Sequence, residues 1–222
     1  MKADAKQTVN WQTLKLSVKN CPGVREPQRW SDFRVSKKSA AANLSALKTS
    51  ADSNPLCLEC GLCCNGVIFA NGQLQPGDDA ARLRELGLKL LGNPKSEIGN
   101  RKFAQPCAAF DGCRCQIYAE RPQYCRAFEC ALLQKFKAGK VAADAALRTI
   151  RLARRRAEKV GKLLRELGDA NEGAALSIRF RKMQRRAETG ALDDESADRF
   201  GELTLAMQDL NFLLSEKFYP GG

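Results

Sequence analysis

Residues 146–167 read ALRTIRLARRRAEKVGKLLREL, and the apolar positions in that stretch decide the architecture. Ala146, Ile150, Ala153, Ala157, Val160, Leu164 and Leu167 recur at alternating spacings of four and three, a heptad seam along one helix face that ends near Gly168. A second seam runs through Phe200, Leu203, Met207, Leu210 and Leu214, after an acidic start at Asp193, Asp194 and Glu195 that suits a helix N-terminus. Between them a shorter helix carries Leu176, Phe180, Met183 and Ala187, with Gly190 as its C-terminal cap. Two such stripes bury themselves by facing each other, so residues 139–222 are expected to form an antiparallel helical hairpin or three-helix bundle.

The opposite side of the first helix is basic. Arg148, Arg151, Arg155, Lys159 and Lys162 fall three or four apart, away from the seam, and Glu158 is the only acid between positions 148 and 165. Arg179, Arg181, Lys182, Arg185 and Arg186 are expected to extend the charge. With a formal net charge of +12, the chain attracts anions, and an acidic protein or nucleic acid is the expected partner of this face. No aromatic residues are interleaved for base stacking, which argues against sequence-specific readout. A merely solvated face is the competing reading.

Upstream of the helices the sequence changes character. The 222-residue chain holds ten cysteines and no histidine, and nine of the cysteines lie between positions 51 and 135. Cys57, Cys60, Cys63 and Cys64 form a C-x2-C-x2-C-C run, followed by Cys107, Cys113, Cys115, Cys125 and Cys130. Thiolate is a soft ligand, so an all-cysteine site selects zinc or an iron–sulfur cluster over magnesium, calcium or manganese. The lack of imidazole excludes mixed cysteine–histidine fingers, H-E-x-x-H hydrolases and Ser-His-Asp triads. Adjacent Cys63 and Cys64 point apart in an extended backbone, so two centres, or one polynuclear cluster with ligands from both halves, use the thiols better than a single four-thiolate zinc site. A bacterial ferredoxin pattern would place its fourth cysteine at position 67, which is Val67.

The rest of residues 51–138 is rich in turn signals, such as Asn65-Gly66, Pro76-Gly77 and Asp111-Gly112. A hairpin is expected around Val67, Ile68 and Phe69, and a helix from Asp78 and Asp79 through about Leu91, with Leu83, Leu86 and Leu90 on one face. Together these describe a small irregular domain stapled by metal rather than by a large core. The fold class expected for the whole chain is therefore mostly α: a small Cys-rich metal-stapled domain followed by the helical hairpin or bundle.

The stretch from Cys57 to Cys130 resembles the YkgJ-type cysteine-cluster family of zinc- or iron-chelating domains, named for its CxxCxxCC signature. The resemblance rests on the opening run, on Pro106-Cys107, and on Cys115-Gln116-Ile117-Tyr118-Ala119-Glu120-Arg121-Pro122-Gln123-Tyr124-Cys125-Arg126-Ala127-Phe128 closing with Cys130. It implies that Cys57, Cys60, Cys63, Cys64, Cys107, Cys115, Cys125 and Cys130 are the metal-associated thiols, while Cys113 and Cys21 have no place in the pattern. Arg114, Arg121 and Arg126 flank these thiols, and Arg121 in particular is expected to support ionised sulfur from beside Pro122.

Residues 1–50 read as an irregular arm with one short helical stretch near Ser36–Leu47, anchored by Trp11, Trp30 and Phe33. Met1–Val18 lacks the apolar core of a signal peptide, and no stretch reaches the ~18 apolar residues of a membrane span. A cytoplasmic location is expected, where closely spaced cysteines read as metal ligands or redox groups more readily than as a disulfide framework. These features favour an iron–sulfur or zinc protein of electron transfer or redox sensing, with a structural-zinc adaptor as the alternative. An iron–sulfur oxidoreductase component is a further possibility, but no nucleotide fingerprint or catalytic residue is identifiable.

Overall fold

The computed structural model describes residues 55–112 and 114–219. The arm at residues 1–50, the helical stretch expected near Ser36–Leu47, and both Cys21 and Cys113 lie outside the described residues. The chain is mostly helical, as its seams predict. Its elements are α1 (Pro55–Cys60), β1 (Asn71–Gln73), α2 (Ala80–Glu85), β2 (Leu90–Leu91), β3 (Lys102–Ala104), α3 (Gln123–Ala127), α4 (Ala131–Lys137), α5 (Ala143–Glu166), α6 (Leu176–Glu188) and α7 (Asp194–Lys217).

The helices form where the heptads place them. All seven seam residues of the first stripe are buried, and α5 packs most extensively on α7, whose Leu203, Met207, Leu210 and Leu214 are buried in turn. Arg156 ties the pair, with Nε 2.9 Å from the Asp209 carboxylate and Nη1 donating to the Asp209 carbonyl at 2.8 Å. Asp193 caps α7 by accepting from the Ser196 amide at 2.8 Å. α6 packs on both long helices. The same buried cluster continues out of the helices to Leu56, Leu62 and Ile68, so the cysteine-bearing layer rests directly on α5.

That layer has a second, smaller core of Leu74, Ala80, Leu83, Leu88, Phe103 and Ala109. It is covered by a three-stranded antiparallel sheet in the order β1-β3-β2, with Gly72 opposite Phe103 and Leu90 opposite the same residue on the other side. Two local expectations fail here. The helix begun at Asp79, which accepts from the Ala81 and Arg82 amides, stops at Glu85 instead of running to Leu91. Gly87 turns the chain at φ +89°, Leu88 drops into the small core, and Leu90 and Leu91 pair with β3. Nor do Val67–Phe69 make a hairpin. The Val67 and Ile68 amides both donate to the Leu62 carbonyl, at 3.2 and 3.0 Å, and Ile68 is buried in the larger core rather than in a strand. No helix among the described residues is long and apolar enough to cross a membrane.

Candidate metal centre

The first four cysteines are presented by a helix turn and the bend that follows it. Cys57 and Cys60 lie three apart on α1 and so project from one helix face. Gly61 ends that helix at φ +64°, and the Phe110 ring occupies the space a side chain would need, with Cζ only 2.6 Å from an ideal Cβ position. Leu62, fully buried, anchors the bend from which Cys63 and Cys64 project. Gly61→Ala is accordingly expected to cost about 1–2 kcal/mol for the left-handed backbone, with a further penalty for displacing Phe110. A fall in denaturant midpoint checks this.

The second four come from four places. Cys107 follows β3 and donates its amide to the Cys64 carbonyl at 2.7 Å, which joins the two cysteine groups through the backbone. Cys115 is brought back by an antiparallel bridge to Phe110 and by the Gln116 amide donating to Ala109. Cys125 sits in α3, started by Pro122 and held by the Gln123 amide donating to Asp78 at 2.9 Å. Cys130 is the residue before α4, whose first amide, that of Ala131, donates to the Phe218 carbonyl at the end of α7.

All eight of these cysteines are unbridged, and all eight line one cavity of about 130 Å³. Cysteines of both separated groups thus border the same cavity. Aromatic and aliphatic side chains close much of the remaining wall, among them Phe69, Phe103, Tyr124, Phe128, Leu133 and Phe218. Phe69 meets Tyr124 and Phe128 edge to face at ring distances of 5.8 and 4.8 Å. Burial in this apolar wall is the largest influence on every thiol. It pushes Cys57 up to about 11 and Cys60 and Cys64 up to about 12, and it raises Cys63, Cys107, Cys115, Cys125 and Cys130 as well. Mutual repulsion between neighbouring sulfurs adds to it. Burial therefore disfavours the ionised sulfurs, and a cation bound among them would offset that cost.

Positive charge is close by. Arg121 lines the cavity, lies over the Tyr118 ring at 3.7 Å and donates to the Tyr118 carbonyl at 2.8 Å. Its charge opposes the upward shift at Cys57, Cys64, Cys115 and Cys125. Arg114 also borders the cavity. Arg126 instead binds the Arg121 and Ala119 carbonyls and so braces the loop. The sequence gives no warning of Arg154. Although it belongs to the basic run of α5, its Nε donates to the Cys60 carbonyl at 2.9 Å and its charge favours Cys60 ionisation.

The donor set suits a soft metal in kind and number. Among the described residues no three Cys, Asp or Glu side chains already stand together as a shell for one ion. A shell that closes on its ion is the ordinary behaviour of thiolate sites, where binding and folding are coupled.

Comparison with curated proteins and with solved structures found no match. Residues 56–145 match the family model CxxCxxCC, described as a putative zinc- or iron-chelating domain, and the match takes in all eight cavity cysteines before ending just inside α5. The similarity of this chain to the CxxCxxCC family is thus carried by residues 56–145, its cysteine-bearing part.

Proposed function

We propose that the cavity binds zinc or iron through Cys57, Cys60, Cys63, Cys64, Cys107, Cys115, Cys125 and Cys130, and that the protein serves electron transfer or redox sensing from a cytoplasmic setting. The observation that carries this reading is the convergence of eight unbridged thiols, from six separate places in the chain, on one apolar-walled cavity. An iron–sulfur centre would supply one-electron chemistry there, whereas zinc would supply a fixed crosslink. The protein's own part is to desolvate the sulfurs, to offset their charge with Arg121 and Arg154, and to keep one edge near solvent. That edge is Cys57, the one exposed residue of the eight, and electron exchange with a partner needs such an approach.

A second reading rests on a different observation. Arg148, Arg151, Arg155, Lys159 and Lys162 are all exposed, and among the described residues only Lys162 of the five is in an ion pair, a loose 3.6 Å contact with Glu166. Uncompensated charge of one sign along four turns favours an anionic partner, either nucleic acid or an acidic protein, with zinc as an inert support. Replacing Arg148, Arg151, Arg155 and Lys159 with Gln is expected to weaken retention on a polyanion matrix and to flatten its salt dependence. Unchanged retention would remove this reading.

Metal and sulfide analysis of anaerobically purified protein separates the two. Brown protein with iron and acid-labile sulfide supports the first, and colourless protein with stoichiometric zinc supports the second. Protein that takes up neither metal defeats both.

A further inference from the structure

Cys63 and Cys64 are neighbours in sequence but belong to different surroundings. Cys63 packs against the larger core together with Cys60 and Cys130, while Cys107 and Cys125 pack against the smaller one. Cys64 goes with the latter pair, since its carbonyl accepts the Cys107 amide at 2.7 Å. The elements follow the same division. Cys57 and Cys60 share α1, and Cys130 precedes α4, both of which pack on α5; Cys107, Cys115 and Cys125 come from the strap after β3, the bridge at Phe110 and α3, which packs on β1.

We propose that the eight thiols form two separate four-cysteine metal centres, one from Cys57, Cys60, Cys63 and Cys130 and the other from Cys64, Cys107, Cys115 and Cys125. The proposal rests on the reading that this cavity binds metal. Arg154 reaches the first set from α5, donating to the Cys60 carbonyl at 2.9 Å.

The division has a consequence for architecture. The first centre sits where α1, α4 and α5 meet and fastens the cysteine layer to the helices, whereas the second closes that layer on itself. A single polynuclear cluster would have no such separation, because loss of any ligand would disturb every metal atom alike.

Metal content of anaerobically purified variants tests this. Cys130→Ser and Cys125→Ser are each expected to hold half the metal of the unmodified chain, and the double variant none. Within one set a second change is silent, so Cys63→Ser with Cys130→Ser still holds half, whereas Cys64→Ser with Cys130→Ser holds none. Variants that lose all metal, or none, from a single substitution overturn the division. Graded chelation of the unmodified protein, with alkylation and peptide mapping of the thiols set free, needs no variant to fold. The two foursomes are expected to be released as units, and release of a mixed set contradicts the proposal. Unmodified protein that binds no metal at all overturns the underlying metal reading, whereas bound metal with mixed release overturns the division alone.

Discussion

Chelation of the metal-loaded protein is expected to melt the cysteine-bearing layer while leaving α5 and α7 helical. The small core of that layer offers Leu74, Leu83, Leu88 and Phe103 as its only large buried side chains, with Ala80 and Ala109 completing it. Its sheet consists of strands of two or three residues, well short of an independently stable sheet. In such a setting metal binding supplies most of the folding free energy, on the order of 10–16 kcal/mol in zinc peptides. The two 24-residue helices have their own seam and need none of it. Even a small share of that energy, spread over a chain of this size, corresponds to a fall in thermal midpoint of roughly 10 °C or more. Far-UV circular dichroism is expected to change little, while amide-exchange protection at Leu88, Phe103 and Cys107 collapses. Equal protection with and without chelator would show that the layer stands on its core alone.

Asp169→Ala is the second large effect. Asp169 follows α5 and accepts from the Nε of Arg179 at 2.6 Å, with side-chain exposures of 3% and 6%. This contradicts the expectation that Arg179 extends the basic face: it points inward, between α5 and α6, while Arg181, Lys182, Arg185 and Arg186 remain exposed. The arginine Nη2 is buried with no hydrogen-bond partner among the described residues. Removing the carboxylate strands a whole buried charge, and losses of about 3–5 kcal/mol follow when one partner of a buried pair is deleted. Replacing both partners with apolar residues, Asp169→Leu with Arg179→Met, is expected to recover most of that loss, since the pair repays little beyond its own desolvation. A denaturant-unfolding double-mutant cycle measures both, and a single substitution that costs under about 1 kcal/mol would place this pair effectively in water.

The helical half was legible because its information is local and periodic. A seven-residue repeat states which face is buried, and every residue of the first seam from Ala146 to Leu167 is. Of the second seam only Phe200 is partly exposed, where it stacks on Phe180 of α6 at 6.2 Å. The cysteine layer was legible in its chemistry and not in its path. Spacing marks Cys57 and Cys60 as a pair, yet nothing in the pattern of leucines told a helix through Leu91 from a helix that breaks at Gly87 and returns as a strand edge. That choice is made by Phe103, some thirteen residues beyond Leu90, which lies between β1 and β2. Charge was the least legible of all. Arg148, Arg154, Arg156 and Arg179 look alike in the sequence, but one faces solvent, one binds the Cys60 carbonyl, one clamps α7 and one is buried against Asp169. Helix phase separates Arg148 from Arg154, whereas Arg179 depends on a turn whose geometry brings Asp169 across to it.

The positive charges at the site come from both halves of the chain. Arg121 arises from the family-like segment itself and is placed by its own tyrosine and proline turn. Arg154 comes from α5, nine residues beyond the end of the family match, and reaches the cavity only because α1 packs on that helix. The long helices therefore do more than carry a basic face.

X-ray absorption at the metal edge of the anaerobically loaded protein tests the central claim most directly. With no histidine in the chain and eight thiols around one cavity, the account predicts a coordination shell made of sulfur, at about 2.3 Å for zinc, with no imidazole scattering. A shell dominated by oxygen or nitrogen would contradict it.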